Sequence, residues 1–237
     1  MASLPPMGMV GRVGNIIHYR IGDKFFARSA PRTFKQTKAT KRRAGEFGRA
    51  SGLASNVRSL LVSVIPEPAD KKMQGRLVAT IFQWLSGLSA RANDSTPGEL
   101  GRFDFADAKK TVRERWHVAF KLKNPSPGLL QIEIPAFVPK ESITAPAGTV
   151  SVLCSIVVGI CDKETGRRHG NFSTQLIYEY NDTSLEKQII PINLPTPKSS
   201  LIVMGASLEY SITKEGRSQH NRNKAFMPAG IVDAILI

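Results

Sequence analysis

The chain has 237 residues, 41% of them hydrophobic and 22% charged, which supplies enough apolar material for a buried core and excludes a largely disordered polymer. Its formal charge is +14, and residues 1–65 hold twelve Lys and Arg against two acids, Asp23 and Glu46, so +10 of the surplus sits in the first quarter of the chain. The longest apolar run, VSVLCSIVVGI at 150–160, is too short to span a bilayer, so no membrane insertion is expected.

Residues 1–10 read as an extended lead rich in Pro and Gly, with no continuous apolar h-region and hence no expected signal peptide. IIHYRI (16–21) and KFFARSA (24–30) flank Gly22-Asp23, a two-residue step between β-prone runs that predicts a hairpin. Gly11 and Gly14 mark a preceding turn or a close backbone approach. Residues 32–43, RTFKQTKATKRR, form a polar basic linker or the start of a helix. From there Phe47, Ala50, Ala54, Val57, Leu61 and Val64 recur at three- and four-residue steps, the stripe of an amphipathic helix. Gly45, Gly48 and Gly52 weaken that helix by about 1 kcal/mol each relative to Ala, unless they permit close packing. IPEPAD (65–70) breaks it, with Asp70 the expected N-cap of a second helix over 71–93 whose stripe is Met73, Leu77, Ile81, Trp84, Leu85 and Leu88. The two make an αα-hairpin.

After residue 112 the period becomes two. Trp116, Val118, Phe120 and Leu122 alternate with more polar positions, then NPSPG (124–128) turns into LLQIEI (129–134). Further strands are predicted at 149–161, 171–180, 187–194, 200–213 and 230–237, with Pro191 placing its strand at an edge or a bulge. The fold class expected is α+β: an N-terminal β-hairpin and helical hairpin (1–110), then an antiparallel, Greek-key-like β-sandwich (111–237). Cys154 and Cys161 lie seven apart in one predicted strand, on opposite faces, and read as buried free thiols of a reducing compartment.

Catalytic and metal-binding patterns are sparse. His18, His117, His169 and His220 follow no ligand spacing, and CxxC, HExxH, GxSxG and GxxxxGK[ST] do not occur. Asp104 and Asp107 read as caps or solvated turns rather than an acid–base pair. Neither catalysis nor a cofactor nor a metal is expected. The cations carry the stronger signal: Arg28, Arg32, Lys35, Lys38, Lys41, Arg42, Arg43 and Arg49 form a candidate polyanion-binding segment, whose binding would draw on counterion release without reading bases. Tyr19, Phe25, Phe26 and Phe34 nearby could stack on bases, although packing of the hairpin is their plainer role. Two further turns are basic: one holds Arg167, Arg168 and His169, the other Arg217, Arg222 and Lys224. They would make a second cationic surface if they gathered at one end of the sandwich; two solvated turns is the bland alternative.

The order of Gly11, Val13, Gly14, Asn15, Ile16 and Ile17, then Arg28, Ser29, Pro31, Thr40, Arg43 and Phe47, resembles a bacterial and prophage family of no assigned activity over residues 8–65. The chain departs from that pattern with Lys or Thr where glutamines often precede the helix. The resemblance implies a hairpin-plus-helix region followed by a β-rich part, in a non-catalytic, phage-derived structural or assembly protein.

The expected function is therefore structural: a homo-oligomeric assembly protein, cytoplasmic or virion-associated, whose basic N-terminal segment docks without sequence specificity on nucleic acid or on an acidic partner subunit. The alternative is a β-sandwich that binds a glycan or protein through its loops, with the N-terminus serving as an oligomerisation arm.

Overall fold

The structure is a computed structural model that describes residues 10–31, 36–67, 70, 72–90, 97–105, 110–126, 128–214, 217–221 and 223–237. Among these, four α-helices and eleven strands form a mixed α+β protein with three antiparallel sheets. By packing, the chain divides into residues 1–43 and 44–237. The division at residue 110 expected from sequence is one of secondary-structure type, helical before it and β after; the division by packing falls at 43/44.

The first unit is a three-stranded meander, β1 (Gly11–Val13), β2 (Ile16–Ile21) and β3 (Lys24–Ser29), with the predicted hairpin at its centre. Gly14 and Gly22 both have φ of +58°, which lets the chain reverse in two residues without a Cβ clash. The expected turn at Gly11–Gly14 is thus a third strand and its hairpin. Tyr19 pairs with Phe26 and stacks on it at 5.6 Å, while the Arg28 guanidinium lies 5.7 Å from the Tyr19 ring. Of residues 10–31 only Ala30 is buried. Thr37 then caps α1 (Lys38–Leu60), its hydroxyl accepting from the Thr40 N–H at 3.2 Å.

The second unit has three layers. Its central sheet runs β7 (Arg168–Glu179), β6 (Thr149–Asp162), β9 (Ser200–Lys214), with β10 (Arg217–His220) and β11 (Ala229–Leu236) following one another along the outer edge of β9. A smaller sheet of β4 (Lys121–Ser126), β5 (Leu129–Ile134) and β8 (Gln188–Ile192) covers one face. The arrangement is Greek-key-like in that β5 and β8 pair in the smaller sheet while β6 and β7, between them in sequence, pair in the central one. Pro191 sits in β8, an edge strand, as its missing N–H requires. Between the sheets, Val152, Cys154, Ile156, Val158 and Ile160 of β6 meet Leu130, Ile132, Ile134 and Ile192, beside a cluster in which Trp116 lies 4.6 Å from Phe120 and 5.9 Å from Tyr178.

The opposite face of the central sheet takes the helices. Ala50, Leu53, Ala54, Val57 and Leu60 of α1, a 3-10 turn at Val62–Val64, and Met73, Leu77 and Ile81 of α2 (Met73–Ala90) pack on Val157, Cys161, Leu201, Val203 and Ile231. The two cysteines are free and buried on opposite sides of β6, one in each core. Asp70, the expected cap, stands three residues before α2 begins at Met73; its carboxylate accepts from the Lys72 N–H at 2.9 Å and pairs with Arg76 at 2.9 Å.

Close approach of helix to sheet falls on different glycines from those the helix suggested. An added Cβ at Gly45, Gly48 or Gly52 meets nothing within 4 Å, whereas one at Gly159 lies 2.7 Å from Leu60 Cβ and one at Gly205 lies 3.0 Å from Val64 Cγ2. The predicted strand at 116–123 is also narrower than expected. A short helix α3 (Val112–Arg115), held by a capping box between Thr111 and Glu114, ends just before it, and only Lys121 onward joins the sheet. A second short helix, α4 (Pro139–Ser142), links the two sheets.

Candidate functional site

The basic segment proposed from sequence starts in the first unit. Arg28 is exposed on β3. Lys38 and Lys41 are exposed in the first turn of α1; Arg42 and Arg43 are exposed as well, and neither is without a partner. Arg32 and Lys35 lie outside the described residues. In the second unit Arg49 is half exposed and pairs with Glu164 at 3.0 Å, so part of its charge is already answered within the chain. In the meander, Arg20 pairs with Asp23 at 2.6 Å and the Arg12 Nε–H donates to the Gly14 carbonyl at 3.0 Å.

The strand register sorts the meander's side chains into two faces, because cross-strand partners point the same way and neighbours along a strand alternate. One face carries Arg12, Ile17, Arg28, Tyr19, Phe26, Ile21 and Lys24. The other carries Val13, Ile16, Ser29, His18, Arg20 and Phe25. Both faces are open: Ile21 is 63% exposed, Ile16 47% and Phe26 41%. The first of these faces has an apolar centre with Arg12, Lys24 and Arg28 around it.

The two basic turns do not gather. Arg167 and Arg168 are exposed and His169 is partly buried, at the β6–β7 turn; Arg217 is exposed at the start of β10, Arg222 lies outside the described residues, and the side chain of Lys224 is not among those described. Because β9 runs antiparallel to β6, with Asp162 opposite Ser200 and Thr149 opposite Ile212, the turn after β6 and the turn after β9 lie at opposite ends of the sheet. That separates them by about 40 Å at ~3.3 Å per residue. The β6–β7 turn is moreover built for structure. Asp162 accepts from the N–H groups of Glu164 (2.9 Å) and Thr165 (2.6 Å), and the Thr165 bond first among them holds its carboxyl below the usual range.

Two clefts remain. One, of about 430 Å³, is lined by His117, Glu141, Ser142 and Ser184; the His117 ring nitrogen faces Thr144 Oγ1 at 3.3 Å, which is not a nucleophile–base–orienter arrangement. The other, of about 520 Å³, is lined by Arg76, Glu99, Arg102, Phe103 and Asp104. Burial pushes the Asp104 carboxyl up to about 6, against the pull of Arg76. Asp107, its expected neighbour, lies outside the described residues. Among the described residues no three His, Cys, Asp or Glu side chains come together to hold a metal ion, and no helix is long and apolar enough to cross a membrane.

Sequence reasoning passed over one surface. The helices cover only the end of the central sheet near Asp162; towards Thr149 the same face leaves Gln175, Ile177 and Glu179 exposed and Ser151, Leu153 and Glu209 partly exposed, while Ser155 is buried. Its signal was the pair of serines, Ser151 and Ser155, that flank Leu153 on one face of β6, where the run at 156–161 is continuously apolar. No protein family, curated protein or solved structure matches this chain.

Proposed function

We propose that the protein is a non-catalytic structural or assembly protein whose basic N-terminal segment docks on an anionic surface, either nucleic acid or an acidic neighbouring subunit. The observation that supports this reading is the first unit itself: a small sheet open on both faces, bearing apolar side chains and a surplus of cations. So small a sheet buries too little to be stable by itself, and cover on one face supplies what it lacks. Lys38, Lys41 and Arg28 add charge that attracts an anionic neighbour at long range. A binding end built from the basic turns draws less support, because those turns lie at opposite ends of the sheet.

The test is size-exclusion chromatography with light scattering and a 260/280 nm absorbance ratio, on protein purified without nuclease. The reading predicts assemblies or bound nucleic acid at low salt that dissociate near 0.5 M salt, where the Debye length is only about 4 Å. A monomer free of nucleic acid at low salt contradicts it.

A further inference from the structure

We propose that the anionic surface on which the first unit docks is the open half of the central sheet in a second copy of this chain. The inference rests on the function proposed above and names its partner.

The receiving surface follows from the strand register. Three rows cross β7, β6 and β9 on the face that the helices leave open: Gln175, Ser155 and Ser207; Ile177, Leu153 and Glu209; Glu179, Ser151 and Ser211. The serines keep this surface low. Ile177 stands on it at 73% exposure, the largest of any exposed large hydrophobic residue described, with Leu153 beside it on β6. Glu209 flanks this aliphatic pair in the same row and Glu179 in the next; Glu209 makes no ion pair among the described residues, and Glu179 accepts only from Asn181 Nδ2 at 3.2 Å. Beyond them β7 is a free edge.

The meander presents the complement. Its face of Ile17, Tyr19, Ile21 and Phe26 is apolar at the centre, with Arg12, Lys24 and Arg28 around it. A cation-ringed apolar face matches a carboxylate-flanked apolar face in both hydrophobicity and charge. Two antiparallel sheets stack face to face at about 10 Å, the geometry of any sandwich core. Nucleic acid fits this half of the surface less well, because Ile17, Ile21 and the aliphatic pair Ile177 and Leu153 offer it no electrostatic gain. Arm and receiving face are different surfaces, so the contact is heterologous: repeated from copy to copy it builds a ring or a filament, and made reciprocally it builds a dimer.

A charge swap tests this on the full chain. Lys24→Glu with Arg28→Glu reverses the arm, and Glu179→Lys with Glu209→Lys reverses the receiving face. Light scattering across a concentration series at low salt should show the unaltered protein associating, and each reversal alone weakening association at least tenfold, about 1.4 kcal/mol. Both reversals in one chain should restore most of it, and that restoration excludes misfolding as the cause of either loss. The proposal is overturned if the unaltered chain stays monomeric, if either reversal leaves association unchanged, or if the combined variant is no better than the single ones. A fluorescently labelled DNA duplex of arbitrary sequence, titrated in parallel, separates the two levels: a monomer that binds the duplex in a salt-sensitive way overturns this inference and leaves the broader function standing, whereas a monomer that binds nothing removes both.

Discussion

At the scale of single residues, Asp104 and Gly159 give the sharpest consequences. The Asp104 carboxyl ionises near 3.8 in an unfolded chain and near 6 in the folded protein, because burial in its cleft penalises the charged form. Between those values the unfolded state has released a proton that the native state still holds. Stability therefore falls as pH rises from about 4 to about 6 and stays reduced above. Asp104→Asn should flatten that stretch of a plot of urea midpoint against pH; an unchanged slope would place the titration elsewhere. Gly159 lies under α1, where an added Cβ would stand 2.7 Å from Leu60 Cβ, an atom fixed to its own backbone. Gly159→Ala should cost about 1–3 kcal/mol in urea unfolding, the usual range for overpacking.

At the scale of elements, the glycines of α1 behave in the opposite sense. Gly48 and Gly52 touch nothing that an added methyl would disturb. Gly48→Ala and Gly52→Ala should each raise stability by about 0.5–1 kcal/mol through helix propensity and reduced chain entropy, seen as a higher urea midpoint with unchanged slope. The stripe of α1 was legible in the sequence because burial follows its period: Ala50, Ala54, Val57, Leu61 and Val64 are all buried. Phe47 broke the rule. It belongs to the stripe by spacing yet is 55% exposed, in edge contact with Phe82 at 6.1 Å, because it lies a full turn before the sheet's cover begins. The strands of the second unit were legible for the same reason, with one omission. β10 is RSQH, a sequence with no apolar alternation, and it is a strand by its pairing with residues 211–214 on the outer edge of β9. The 116–123 segment misled in the other direction. Its alternating Trp116, Val118 and Phe120 are all buried, but Thr111 and Glu114 cap a helical turn just before them and delay sheet pairing to Lys121.

At the scale of the whole molecule, the proposed function rests on an asymmetry of charge that composition shows and the fold locates. The cations could be counted from the sequence, but their surroundings could not. That Arg49 is answered by Glu164 depends on packing between residues 115 positions apart, and that the two basic turns stand at opposite ends depends on β9 running antiparallel to β6. Ser151 and Ser155 on either side of Leu153 hinted at the less covered half of the central sheet, yet only the strand order brings Ile177, Glu179 and Glu209 alongside. Charge should dominate the kinetics of docking. Lys38→Gln with Lys41→Gln should slow association and shrink its salt dependence more than it speeds dissociation, as stopped-flow measurement across ionic strengths would show.

Hydrogen exchange of the backbone amides in residues 16–29, followed by mass spectrometry, addresses the docking role of the first unit directly. With both faces of the meander open, dilute protein in about 0.5 M salt should exchange these amides nearly as fast as an unfolded peptide, while concentrated protein at low salt, or protein with its anionic partner added, should protect them strongly. Strong protection in the dilute, high-salt sample, unchanged by concentration or partner, would mean that the meander is complete in itself and would contradict its role as a docking element.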